Sequence, residues 1–327
     1  MANVTYHFRD CFRVINKEAL HWFPGHMGRG LKQMQQKLKS VDCVIEVHDA
    51  RIPLSGRNPD FKHTVCGLKP HILVLNKKDL TDMSYSSKVL ARLKQEGTPD
   101  VLFTNCKDGK CNGVKKIIPR ACELISSSNR YNRSETSEYS IMIVGVPNVG
   151  KSSLINTLRN RFLGKSSAAA VGAKAGITKS VQNIIKVSEE PKVYLIDTPG
   201  ILTPSIRDVE AGLRLSLCAS LQDHLVGEEI IADYLLFWLN KHRRFNYVEL
   251  MGLQEPSDNI GTVLTQCALK LGKTLKLLDD SKSPVTWQEH VTREEKSALN
   301  NIKIFFYLGV NIVFILYNTQ IGINVEP

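Results

Sequence analysis

The eight cysteines (Cys11, Cys43, Cys66, Cys106, Cys111, Cys122, Cys218 and Cys267) form no C-x-x-C pair and have no histidines at zinc-ligand spacing. Nothing therefore points to a structural zinc site, and thiols in apolar runs such as VDCVIEV read as small hydrophobes in a reducing compartment. No continuous apolar stretch followed by a small-residue cleavage site opens the chain, which argues against a secretory leader. Internal repeats and low-complexity tracts are missing too. Aromatic residues make up only 7%, and no stacking platform or RNA-recognition motif is visible.

What is present is a 327-residue chain, 43% apolar, enough for about two domains with buried cores. Its net charge of +11 points to a polyanionic partner. The first 200 residues hold 31 basic and 17 acidic side chains, leaving 12 and 15 for the remainder. The basic surface thus belongs to the first two thirds. From Lys151 to Val187 seven basic residues (Lys151, Arg159, Arg161, Lys165, Lys174, Lys179, Lys186) stand without one acidic residue, and Arg29, Lys32, Lys37 and Lys39 form another group. Such surfaces suit a salt-dependent contact with RNA phosphates.

Short runs rich in Val, Ile and Leu end in polar or glycine loops at Cys43 to His48, Ile72 to Asn76, Val101 to Thr104, Ile141 to Gly145, Ile184 to Val187 and Val193 to Asp197. Helical-period segments lie between most of them: Ser87 to Gln95, Val114 to Ile125 and Ser152 to Asn160. Alternation of this kind predicts an α/β domain, a mostly parallel sheet with helices on both faces, with ligands at the carboxyl ends of the strands. Ser126 to Glu138 reads as a linker, and after Gly200 the strand signals fade and helical ones take over, notably at Glu228 to Asn240. The expected organisation is residues 1–40 as a basic N-terminal segment, 41–206 as the α/β domain, 207–300 as a helical domain and 301–327 as an apolar tail. Phe8, Phe12, Ile15 and Ala19 would share one helical face opposite Arg9, Arg13 and Lys17, which fits either a mitochondrial targeting helix or a plain surface helix.

Gly145-Val146-Pro147-Asn148-Val149-Gly150-Lys151-Ser152 matches G-x-x-x-x-G-K-[ST] between a strand and a helix. Backbone N–H groups of this loop, Val149, Gly150 and Ser153 included, are expected to cradle phosphates, Lys151 to reach the β- and γ-phosphates, and Ser152 to ligate Mg²⁺. Asp197-Thr198-Pro199-Gly200 supplies a D-x-x-G: Asp197 toward Mg²⁺ through water and the Gly200 N–H toward the γ-phosphate. Thr178, in Ala175-Gly176-Ile177-Thr178, is the candidate for a mobile Mg²⁺ ligand. Asn76-Lys77-Lys78-Asp79 follows the strand HILVL, and the Asp79 carboxylate can accept two bonds from guanine that adenine cannot offer. Alone, N-K-K-D is a common surface tetrapeptide. With the two phosphate motifs it selects GTP. The stem of Lys77 can cover the base, and Asn76 can tie the base loop to the phosphate loop.

The motif order is unusual, since N-K-K-D precedes the phosphate loop by about seventy residues. A circular permutation leaves the strand neighbours in place and runs the chain after D-T-P-G toward the helical domain. With Trp22-Phe23-Pro24-Gly25-His26-Met27, Asp49-Ala50-Arg51-Ile52-Pro53 and Thr104-Asn105-Cys106 in the same order, residues 20 to about 275 resemble the YlqF-like circularly permuted GTPases of ribosome assembly, in particular the mitochondrial members. The resemblance implies GTP hydrolysis coupled to maturation of the large mitochondrial ribosomal subunit, with rRNA and ribosomal proteins as partners. It also implies GTP and GDP as ligands, Thr104, Asn105 and Cys106 near the base, and a monomer in the matrix peripherally associated with the inner membrane. Ile201 stands where many GTPases carry a water-orienting glutamine, so intrinsic turnover should be slow. Asn148 corresponds to a K⁺-coordinating position, and His26 is either the family's catalytic histidine or a packing residue beside Trp22 and Phe23. Ile302 to Tyr317 is a 16-residue apolar run interrupted by Lys303 and Asn311, short for a membrane span. It fits a buried segment, an interfacial anchor or an alternative terminus. The competing function is a GTP-regulated membrane-docking scaffold.

Overall fold

The computed structural model describes residues 6–13, 32–57, 69–130, 133–165, 169, 184–201, 209–221 and 226–270. The chain divides into two compact units at Val226 and Gly227, and the N-terminal residues group with the second unit. The division falls about twenty residues beyond position 207.

The α/β unit is built on a six-stranded sheet of order β3-β2-β1-β4-β6-β5. Its strands are β1 (Cys43–Asp49), β2 (His71–Asn76), β3 (Val101–Phe103), β4 (Tyr139–Val144), β5 (Ile184–Ser188) and β6 (Val193–Ile196). Every residue of β1 is buried, as expected of a central strand covered on both faces. β1 pairs in parallel with β2 and β4, β2 with β3, and β4 with β6; the edge strand β5 alone runs antiparallel, against β6. All six strands lie on the runs read from the sequence, and the helices α1 (Ser86–Gln95), α2 (Asn112–Ser126) and α3 (Lys151–Leu163) fall between them. α2 shows why the period was visible: Val114, Ile117, Ile118, Ala121 and Ile125 form its buried stripe. α4 (Val209–Leu217) also belongs to this unit. The Arg214 guanidinium donates to Ser55 Oγ at 3.3 Å, linking α4 to the loop after β1.

The stretch between α2 and β4 has no apolar period, yet it is fastened by charge. The Asp42 carboxylate, 1% exposed, receives Arg130 Nε at 3.2 Å, Arg133 Nε at 3.0 Å and the Ser140 N–H at 2.8 Å. Arg130 also donates to the Glu138 carbonyl at 2.7 Å. The connection that permutation introduces is thereby pinned to the start of β1.

In the second unit, α5 (Glu228–Lys241) buries every residue from Tyr234 to Asn240 and is followed by α6 (Asn246–Met251) and α7 (Ile260–Lys270). Residues 6–13 are not helical, contrary to the amphipathic helix expected there. Tertiary contacts outweigh local period at this segment. The Arg9 side chain forms a bidentate pair with Asp233 at 2.9 and 2.7 Å, and the Arg9 backbone N–H donates to the Asp258 carboxylate at 2.7 Å. The Phe12 ring packs 5.3 Å from Tyr234 and 5.6 Å from Phe237, and Phe8 sits 5.7 Å from Phe245.

Candidate functional site: a permuted guanine-nucleotide cleft

β1, β2 and β4 deliver their carboxyl ends side by side, so the loops after them share one edge of the sheet. The phosphate loop leaves β4 at Gly145, turns through Asn148 in the left-handed region at φ 57°, and enters α3 at Lys151. Gly150 lies at φ 97°, where any Cβ would collide with the Asn76 amide nitrogen. Lys151 is buried, and its ammonium donates to the carbonyls of Gly145 at 3.2 Å and Val146 at 2.8 Å. Burial lowers its pKa to about 8, against the opposing pull of Asp197.

Asp197 follows β6 and accepts the Ser152 hydroxyl on Oδ2 at 3.0 Å, while its buried Oδ1 has no hydrogen-bond partner among the described residues. Burial raises this carboxyl's pKa, with Ser152 and Lys151 opposing. A hydroxyl and an underused carboxylate oxygen side by side are the hard oxygen donors a Mg²⁺ ion takes, so these residues fit that ion. Thr198 donates to the Ile143 carbonyl at 2.6 Å, and Gly200 comes so close to Pro147 that a Cβ would lie 2.6 Å from its Cα. Ile201 is fully buried, its N–H donating to the Gly145 carbonyl at 3.2 Å, so its side chain is committed to the core.

On the base side, Asn76 is the junction. Its amide nitrogen donates to the Val149 carbonyl at 2.9 Å, and its oxygen accepts from Thr104 Oγ1 at 3.1 Å and the Cys106 N–H at 3.3 Å. Lys78 N–H donates to the Thr104 carbonyl at 3.0 Å. Lys77 holds a left-handed conformation at φ 63° and opens the short turn Lys78–Leu80 that displays Asp79 at the surface. Asn105 N–H meets the Cys111 sulfur at 3.3 Å, which anchors the third loop to the start of α2. Burial lifts the Cys106 thiol to about 12, keeping it protonated.

Asn76, Lys77, Lys78, Thr104, Asn105, Cys106, Asn148, Val149, Gly150, Lys151, Ser152, Ser153, Asp197 and Gly200 thus lie at strand ends, on loops and at helix starts along the carboxyl edge of the sheet. Asn148 points its amide to the Ala219 carbonyl at 3.2 Å. His26 and Thr178 lie outside the described residues, as do the tail 302–317 and basic Lys174 and Lys179. Sequence reasoning assigned no role to Asp42, Glu46 or Asp49, although a carboxylate inside an apolar strand such as VIEVHD is itself a signal of a buried partner. Glu46 holds Arg57 at 2.9 and 2.8 Å and lies 3.2 Å from His71.

A phosphate loop, a D-x-x-G and an N-K-K-D on one mostly parallel sheet, with N-K-K-D first in the chain, define a circularly permuted P-loop GTPase. Residues 140–266 match the family model described as 50S ribosome-binding GTPase. The chain is 64% identical to "Mitochondrial GTPase 1" of Aedes aegypti over 83% of this chain and 86% of that protein. It is 55% identical to "Mitochondrial ribosome-associated GTPase 1" of Mus musculus over 83% and 82%. Among solved structures it is similar to GNP-bound YlqF from T. maritima, at 25% identity and TM-score 0.46, covering 75% of this chain and 94% of that one. The chain belongs to the mitochondrial ribosome-associated GTPase 1 family.

Proposed function

We propose that this GTPase uses GTP binding and hydrolysis to drive maturation of the large subunit of the mitochondrial ribosome. The observation that carries the nucleotide half of this reading is the Asn76 junction, which binds the base-side and phosphate-side loops into one cleft. The ribosomal half is supported by the family's printed descriptions and by the basic balance of the first 200 residues.

In this reading Asp79 accepts guanine's two donors, and Lys151 exchanges its loop carbonyls for the β- and γ-phosphates. Ser152 and Asp197 hold Mg²⁺, with Thr178 completing the set. The ion supplies charge neutralisation at the transferring phosphoryl group. Ile201 cannot orient water, so turnover alone is slow and relies on groups supplied from elsewhere. Asn148 is the residue for a stimulating K⁺, and His26 for water activation at the ribosome. Equal turnover in Na⁺ and K⁺ would remove the Asn148 role, and full ribosome-stimulated turnover in His26→Ala would remove that of His26.

RNA contact by backbone charge falls to exposed Lys32, Lys37, Lys39 and Lys165 rather than to Arg159, Arg161 and Lys186, which are already bonded within the fold. The site of action is the mitochondrial matrix, at the inner-membrane surface. No helix among the described residues is long and apolar enough to cross a membrane. Gradient sedimentation with a non-hydrolysable GTP analogue tests the reading. Co-migration with the large mitochondrial subunit is expected. Migration away from it, with flotation on membranes that is lost on deleting residues 302 to 327, would favour a docking role instead.

A further inference from the structure

Asp49 ends β1 in register with Asn76 on β2, and its carboxylate is fully buried. One cation already satisfies it: Arg51 donates Nε to Oδ1 at 2.7 Å and Nη2 to Oδ2 at 2.5 Å, with its N–H adding a third bond at 3.1 Å. A second cation arrives from the base loop, since Lys77 Nζ lies 3.1 Å from Asp49 Oδ2. The backbone repeats the connection, because Ala50 N–H donates to the Asn76 carbonyl at 2.8 Å. The end of β1 therefore grips both residues of the Asn-Lys pair, one through its main chain and the other through its side chain.

A lysine stem that is to lie flat along a base has four rotatable bonds, and ordering them on binding weakens affinity. Anchoring the ammonium beforehand removes most of that freedom. The Lys77 side chain is only 24% exposed, and its backbone already occupies the left-handed region. We infer that Asp49 is a positioning residue of the base site, tethering Lys77 so that its stem is laid out for guanine before the nucleotide arrives. Arg51 is the counter-cation that keeps the Asp49 carboxylate ionised and oriented in the protein interior. This rests on the reading of Lys77 as the base-covering residue.

The test is a double-mutant cycle on Asp49→Asn and Lys77→Met, read as the Kd for a fluorescent GDP with thermal unfolding measured in parallel. Each single variant is expected to weaken binding about tenfold, the equilibrium equivalent of releasing one long side chain's rotamers. The double variant should bind no more weakly than Lys77→Met alone. Because Asp49→Asn strands a buried guanidinium, Asp49→Asn with Arg51→Met is carried through the same cycle, so that a failure to fold does not decide the answer. Losses that multiply to about a hundredfold would overturn the tether, since independent sites add in free energy. So would wild-type affinity in the Asp49 variants beside a weakened Lys77→Met. Wild-type affinity in Lys77→Met would instead overturn the base-covering role of Lys77, and the tether with it.

Discussion

On the base side of the cleft, Asn76 donates from its amide nitrogen to Val149 and accepts at its oxygen from Thr104 and Cys106, and Lys77 is fastened to a buried carboxylate. On the phosphate side, Lys151 donates to carbonyls of its own loop and Ser152 to Asp197, contacts that a phosphate and a metal ion would replace. The first set holds geometry that a ligand leaves intact, and the second holds groups that a ligand must redirect. Under the proposed function, choice of base would rest on contacts already made in the fold, and the phosphate-side arrangement on what binds. Such a division keeps affinity for the nucleotide from committing the protein to turning it over.

The largest effect should come from breaking the phosphate side. Lys151→Ala removes the only charge-assisted donor of the loop, and GTP affinity should fall by about a hundredfold or more in an equilibrium titration, with little change in melting temperature. Asn76→Ala should break both sides together. It leaves buried partners of the amide unsatisfied, so unfolding free energy should drop by about 2–3 kcal/mol in a denaturant titration, with weakened nucleotide binding.

A pH signature is expected inside the sheet, away from the cleft, where Glu46 lies in the middle of β1. Burial by itself would raise the Glu46 carboxyl, but Arg57 and His71 outweigh it and hold its pKa at about 2, below the ordinary 4.5. A depressed folded-state value gives stability that is complete above about 4.5 and is lost as pH falls toward 2. Glu46→Gln should flatten the acid limb of the stability curve between those values, an effect of about 2 kcal/mol because Arg57 and His71 keep part of their hydration. The smallest effect is a control outside the cleft. Arg9→Ala removes a part-exposed pair from the helical unit, and should cost about 1 kcal/mol in unfolding free energy while leaving GDP affinity unchanged.

The fold was legible where its causes are local. Six apolar runs ending in glycine or polar loops became six strands, and the stripe of α2 could be counted off the chain. The phosphate loop, D-x-x-G and N-K-K-D were legible because each carries its chemistry within a few residues. What could not be read depends on partners far along the chain. Asp42 meets Arg130 and Arg133 across 88 and 91 residues, so a stretch without apolar period looked like a plain linker. Arg9 meets Asp233 across 224 residues, and that pairing, with Phe12 against Tyr234 and Phe237, overrides the helical period of the N-terminal segment. Asp49 was legible as part of a family signature but not as the partner of Lys77, since nothing in the spacing of two strands states their register.

The central claim is that the N-K-K-D segment, placed ahead of the phosphate loop by permutation, reads guanine. Competition binding of GTP and xanthosine triphosphate to the wild type and to Asp79→Asn tests it most directly. The Asp79→Asn variant is expected to lose preference for GTP and gain it for the xanthine nucleotide, whose ring carbonyl offers an acceptor where guanine has its amino group. Unchanged preference for GTP in Asp79→Asn would contradict it.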